Sequence, residues 1–453
     1  MSKKIIVAGL GHGGIAAAAQ LAKAGFDVTV YEQKSEGKLG YDWTDIFAPG
    51  ALKTAGIPMP PVTKFEYKEN MTFYGPSERV GLTQHVPEDE LEIKMERSDI
   101  YEHLINHALE CGVKIVYDCK VLGPEVLGNR VVGINTEKGK FYADLIIDAC
   151  GLNSPVRKQL PDSFGIEKEL AQFEKISIYR AFFNKASDEP VEAKFKVCLF
   201  TDNKKGICWV ASEEDHTDLL IGRFDGIDKQ EVDRFAELLR QRNPRLGTEV
   251  IRGGQFVEIP VRQPLSLMVA DGYAALGDSA FMTYAAKGSG IAYSLKAATI
   301  LADVVQKDEN GIFDADTLWE YERIFFKEIG FDACRIALAK NLLPYMTAKE
   351  VNEIFTAKLI STEELYAVLT GSFQKYKIPV LVKDKLKLLG TLPDFRSKLM
   401  NLVAWIGKFA LIETSLPAKY SRDDVRKWQE KYNSFFDSVK RNDIPEVEFN
   451  QLQ

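Results

Sequence analysis

The stretch Lys4-Ile5-Ile6-Val7-Ala8-Gly9-Leu10-Gly11-His12-Gly13-Gly14-Ile15-Ala16-Ala17-Ala18-Ala19 decides the fold class. An apolar run of strand length enters a G-x-G-x-x-G turn and then an alanine run, the order of buried strand, tight turn and helix. Residues 27–32, Asp-Val-Thr-Val-Tyr-Glu, read as the next strand, so the unit is βαβ, with its helix over 14–24. Gly9 permits the tight turn, Gly11 lets the backbone approach a pyrophosphate, and Gly14, after Gly13, lets the helix pack on the strand. The start of the helix offers free N–H groups to phosphate. Glu32, closing the second strand, is placed to accept from a ribose hydroxyl, and His12 reads as a turn residue. Four glycines would break the apolar helical region of a secretion signal, so the opening is not read as one.

This fingerprint serves NAD and FAD alike, and a second stretch separates them. Tyr273-Ala274-Ala275-Leu276-Gly277-Asp278 is a short strand ending in Gly-Asp, and Gly288-Ser289-Gly290-Ile291 opens a helix running to about Val305. Asp278 is placed to bind a ribityl chain. The positive end of the helix at Gly290 suits the flavin edge where negative charge collects on reduction. Together the two stretches read as a non-covalent FAD site.

Composition narrows the field. The 453 residues suffice for two or three domains, and a net charge of −7 gives no basic field for a nucleic-acid partner. The six cysteines are scattered without a C-x-x-C pair, which suggests a reducing cytoplasm and no disulfide framework or metal site. His103 and His107 share a helix face but lack a third ligand, and no G-x-S-x-G is present.

Along the chain a helix is expected over 98–111, a strand over 114–117, a hairpin turning at Lys138-Gly139 and a buried run over 145–149. Runs such as 176–182 and 206–211 suggest a separate sheet roofing the substrate site. Thr347 with Glu350 and Ser361 with Glu364 fit reciprocal helix caps. The expected architecture is α/β: a Rossmann-like FAD-binding domain (1–60, 95–165 and 253–310), a mixed-sheet substrate domain (61–94 and 166–252) and a C-terminal α-helical region (311–453).

These motifs, with Asp148-Ala149-Cys150-Gly151-Leu152-Asn153-Ser154-Pro155-Val156-Arg157 and Pro260-Val261-Arg262-Gln263-Pro264-Leu265, resemble the geranylgeranyl reductase family of flavoproteins, within the wider p-hydroxybenzoate hydroxylase-like group. The resemblance covers most of the chain. It implies FAD contact from Gly13, Gly14, Glu32, Arg97, Val121 on the adenine side, Asp278, Gly290 and Ile291, and reduction of isolated C=C bonds in isoprenoid chains. It sets Asp42-Trp43-Thr44 beside the flavin, where the family has Pro-Cys-Gly, so Trp43 and Thr44 join the cofactor candidates. Other departures are Cys150-Gly151 in place of Asp-Gly, Ala285 in place of a proline, and 206–212, which keeps only Gly206 and Trp209 of a G-Y-x-W-x-F-P motif.

Trp43, Trp209, Tyr284 and Lys287 are the candidates for lining a substrate site, each weighed against ordinary packing or, for Lys287, a solvated loop. No catalytic residue is singled out. With one dinucleotide fingerprint, electrons must arrive by transient contact from NAD(P)H or a small redox protein. The stripe Leu399, Leu402, Val403, Ile406, Phe409 and Ala410 is expected to pack on the core, with a membrane surface as the alternative. The leading expectation is a cytoplasmic, optionally membrane-associated FAD-dependent reductase of an apolar, lipid-like substrate. The alternatives are an aromatic monooxygenase and a non-catalytic flavin-binding sensor or lipid carrier.

Overall fold

The protein's computed structural model describes residues 2–370 and 393–439. Its central sheet has six strands in the spatial order Val269–Ala270, Tyr273–Ala275, Leu145–Asp148, Lys4–Ala8, Asp27–Tyr31 and Lys114–Val116. All neighbours are parallel except the first pair. Val7 lies opposite both Ile147 and Val30 at its centre. Covered on both faces, the middle strands are continuously apolar, as parallel strands must be. The helix His12–Lys23 packs closely against Ile291–Lys307: a Cβ at Gly13 would sit 3.0 Å from the Ser294 side chain, and the Gln20 amide donates to the Thr299 hydroxyl at 3.3 Å.

The turn between the first strand and that helix is forced by its neighbours. Gly9 has φ +87°, and a Cβ there would sit 2.7 Å from the carbonyl oxygen of Ala149. The Ala149 segment thus presses on the turn from the next strand, and only glycine fits.

A seven-stranded sheet forms the roof, ordered Leu246–Pro260, Lys175–Lys185, His216–Arg223, Gly206–Ser212, Phe195–Leu199, Thr72–Tyr74 and Gly81–Thr83. It is antiparallel except where Phe195–Leu199 meets Thr72–Tyr74. The segment 61–94 is divided: two of its strands join the roof, whereas Phe65–Tyr67 pairs with Ile93–Glu96, which also pairs with Thr44–Phe47. That small sheet carries Thr44 to the boundary between roof and central sheet.

Helices follow from Ala315, and both expected caps form. Thr347 N–H donates to Glu350 at 2.7 Å while Glu350 N–H donates to the Thr347 hydroxyl at 3.2 Å, and Ser361 with Glu364 repeats the pattern. The core of the central sheet continues into these helices through Trp319, Phe326, Phe409, Trp428, Tyr432 and Phe436. A second apolar cluster joins the roof to Val351, Phe355, Leu365 and Phe395. The expected helical region extends over residues 371–392 and 440–453, which lie outside the described residues.

Candidate active site

A cavity of about 720 Å³ opens where the glycine turn, the Gly-Asp segment and the edge of the roof converge. Of the residues expected at the cofactor, Gly9, Gly11, Gly13, Gly14, Glu32, Trp43, Arg97, Val121, Gly277, Asp278, Gly288, Gly290 and Ile291 line it. Thr44 and Ser289 are not among the lining residues. The Thr44 hydroxyl and carbonyl face Arg180, and the Ser289 carbonyl accepts from Tyr284 N–H at 2.9 Å.

At the glycine turn, Ile15 N–H donates to the Gly11 carbonyl, which leaves the N–H groups of the first helical residues at the cavity end of the helix. The Glu32 carboxylate accepts from Leu10 N–H at 2.9 Å and Lys34 N–H at 2.8 Å, one per oxygen. Two backbone donors therefore fix the acid at the strand end, and each oxygen keeps acceptor capacity for a hydroxyl.

At the other end, the Asp278 carboxyl accepts from the Thr283 hydroxyl at 2.6 Å, and burial pushes its pKa above the usual aspartate range. A clasp around Asp148 fixes the segment. Its carboxylate accepts from the hydroxyls of Ser154, Tyr273 and Ser279, at 2.5, 3.0 and 3.1 Å, and from Cys150 N–H. Ser154 also caps the helix Pro155–Gln159, and Arg157 donates to the Ser279 carbonyl. The motif 148–157 thereby ties the third parallel strand to Gly277–Ala280.

Arg97 pairs in bidentate fashion with Asp45, and its guanidinium carbon lies 5.1 Å from the Tyr41 ring and 5.4 Å from Trp43. Part-buried Asp45 and Arg97 hold each other charged, with the Arg97 pKa raised and that of Asp45 lowered despite the desolvation that opposes both. His12 lines the cavity as the first residue of the helix, stacked on Tyr101 with ring centres 4.5 Å apart. Burial, aided by Arg97, lowers its pKa to about 3, so the ring is neutral, and its Nε2 has no partner.

His12, Tyr101, Thr283, Ser294, Val257 and Ile259 line the cavity but were not expected there from the sequence. Spacing carried the signal for three of them. Tyr101 is four residues beyond Arg97 on one helix, and Val257 and Ile259 alternate on one strand. For His12, the reading as a turn residue overlooked that the helix begins there and not at 14.

Of the four substrate-lining candidates, Trp43 alone lines this cavity, and Trp209, Tyr284 and Lys287 lie outside it. The Tyr284 hydroxyl donates to the Val368 carbonyl. Lys287 is half-buried in an ion pair with Glu92 at 2.7 Å, and Glu92 also holds the buried Lys68, so the solvated-loop reading gives way to a charge pair. Trp43, Trp209 and Tyr284 nevertheless meet in one apolar cluster with Ile178, Phe182, Leu220 and Ile336, beneath the roof.

The cavity therefore brings together the N–H groups at a helix start, the carboxyl groups of Glu32 and Asp278, and the rings of Tyr41 and Trp43. Those features, and a volume within the roughly 300–1,000 Å³ of cofactor sites, suit FAD.

The chain has the fold of FAD-dependent flavoproteins. A geranylgeranyl bacteriochlorophyll reductase-like protein from Thermoplasma acidophilum superposes with a TM-score of 0.70 at 20% identity, over 86% of this chain and 99% of that one. The myxobacterial chondrochloren halogenase, described as an FAD-dependent halogenase, superposes at 0.57 with 18% identity, over 76% and 83%. In sequence, the chain is similar to digeranylgeranylglycerophospholipid reductases. The protein of that name from Sulfolobus acidocaldarius is 21% identical over 376 residues, 80% of this chain and 82% of its own. The one from Haloferax volcanii is 23% identical over 324 residues, 66% and 74% of the two chains. No protein-family model matches the chain.

Proposed function

We propose that this protein is an FAD-dependent reductase that saturates C=C bonds of an apolar, isoprenoid or lipid-like substrate. The observation that carries the reading is the position of Trp43, which belongs both to the cavity wall and to the apolar cluster holding Trp209 and Tyr284. A dinucleotide cavity that continues into aliphatic and aromatic side chains suits a hydrocarbon partner. The reductase names of the similar proteins support the same chemistry.

The chemistry supplied by FAD, once reduced, is hydride delivery to one alkene carbon, with a proton completing the other. In this reading the turn at 9–14 and the start of its helix bind the pyrophosphate, Glu32 accepts from the ribose, and Asp278, fixed by Thr283 and the Asp148 clasp, accepts from the ribityl chain. The start of the helix Ile291–Lys307 favours negative charge at the flavin edge. Trp43 and the cluster behind it orient the substrate and exclude water. Electrons arrive from NAD(P)H or a small redox protein by transient docking, since one dinucleotide fingerprint is present.

The test is anaerobic. The bound flavin is reduced chemically, and unsaturated isoprenoids, prenylated quinones and enoates are added. Flavin reoxidation with a product gaining two hydrogens is the expected result. A product gaining one oxygen, formed only in air from an aromatic compound, would replace this reading with a monooxygenase.

A further inference from the structure

The helix Pro393–Glu413 has two apolar faces. Phe395, Phe409 and Ile412 are buried, with Leu402 packed beside them, which accounts for the core-facing half of the stripe expected from the sequence. On the other side Met400, Val403, Ala404, Gly407, Ala410 and Leu411 follow at steps of three and four and form one outward stripe about three turns long. Met400 is 54% exposed, Val403 61% and Leu411 72%. A continuous exposed apolar stripe of this kind marks an interaction site on a soluble protein.

Its charge has one sign. Residues 395–412 contain no acid, and the exposed cations Arg396 and Lys408 stand at the stripe's start and along its margin.

We propose that this face docks on the interfacial region of an anionic lipid membrane, an inference that rests on the lipid-like substrate reading above. An apolar stripe and a cationic margin are the two attractions that together hold a helix in the plane of a membrane surface. No helix among the described residues is long and apolar enough to cross a bilayer, so the helix lies on the membrane and does not span it. A second copy is a poorer occupant. A two-fold pairing of antiparallel helices centred on the stripe would place the Lys408 of both copies near each other on the same margin of the pair, like charge against like. Docking there would present the roof and tail, between which the apolar cluster lies, to substrate held in lipid.

The experiment is flotation of the FAD-loaded full chain with phosphatidylcholine vesicles and with vesicles in which phosphatidylglycerol makes up about a third of the lipid. The protein floats with the anionic vesicles and less so at high salt. Val403→Glu and Leu411→Glu, both on solvent-facing positions, cut the bound fraction by about tenfold or more. Their flavin content and melting temperature stay at the wild-type values. Lys408→Glu weakens binding to the anionic vesicles alone. Wild-type protein that does not float, or flotation indifferent to Val403→Glu and Leu411→Glu, overturns the proposal. So does a loss of dimer mass in Leu411→Glu without vesicle binding, which would assign the face to a second copy. Flotation without flavin reoxidation by any isoprenoid would overturn the reductase reading and leave the docking face standing. Reoxidation by detergent-dispersed isoprenoid without flotation would do the reverse.

Discussion

Arg180 and Asp218 lie on adjacent strands of the roof, offset by two residues in register, and form a buried bidentate pair, with Nε to Oδ1 at 3.0 Å and Nη2 to Oδ2 at 2.6 Å. The same guanidinium donates to the Thr44 carbonyl at 2.5 Å and hydroxyl at 2.8 Å. Its carbon stands 5.7 Å from the Trp43 ring and 5.1 Å from Trp209. One arginine thus fastens the strand that follows Trp43 to the roof and sets the spacing of two tryptophans.

Removing one member leaves the other buried and unpaired, so Arg180→Met or Asp218→Leu destabilises by about 3–5 kcal/mol. The double replacement recovers part of that loss. Urea unfolding measures both effects. In Arg180→Met the tryptophan emission also shifts, because Trp43 loses its cationic neighbour, whereas a replacement that only weakened the roof would leave the native spectrum unchanged.

At the turn, Gly9→Ala abolishes FAD retention, because φ of +87° and contact with the Ala149 carbonyl both oppose a side chain. Gly25→Ala is the control. Its φ of +96° carries a similar backbone penalty, but nothing lies within 4 Å of the added carbon, so it lowers the melting temperature slightly and keeps the flavin. Bound-flavin absorbance after gel filtration separates the two.

His12 makes the flavin-free protein acid-sensitive. Its pKa falls from 6.5 to about 3 on folding, so the unfolded chain binds the extra proton across that interval. Stability contributed by the neutral ring is complete above pH 6.5 and declines as pH falls toward 3, by on the order of 5 kcal/mol at full extent. His12→Phe keeps a ring against Tyr101 and removes that slope. Denaturant unfolding across the interval tests it, and an unchanged slope in the variant would assign the acid sensitivity to other groups.

Alkylation by iodoacetamide under native conditions leaves flavin content and turnover intact. Cys119, Cys198, Cys208 and Cys334 are buried. Cys150, at the cavity wall, has its pKa pushed well up by burial and by the nearby Asp148. The thiolate needed for attack is therefore scarce. Mass mapping of modified thiols beside an activity assay checks this, and loss of turnover from one modified cysteine in a folded protein would reveal a thiol in the reaction.

Much of the nucleotide end was legible because local sequence carries it. A strand, a glycine turn and a small-residue helix within some twenty residues specify each other through φ restrictions and close packing, and the Gly-Asp segment does the same at 273–291. Helix caps at Thr347 and Ser361 were legible for the same reason, since donor and acceptor lie three residues apart. The substrate end was not. Lys287 reads as a loop lysine until Glu92, far away in the chain, is brought to it. Tyr284 reads as a candidate for lining the substrate site until its hydroxyl is seen to donate to the Val368 carbonyl.

The amino-acid sequence by itself determined the βαβ unit and the glycine positions that can face a dinucleotide, because those depend on contacts between near neighbours and on backbone freedom at single positions. Tertiary structure alone decided that Arg180 would meet Thr44, that His12 would be buried and neutral, and that one helix would hide Phe409 while exposing Leu411. Burial and charge pairing are properties of a place in space, and strands and helices hundreds of residues apart share that place only after the sheets have packed.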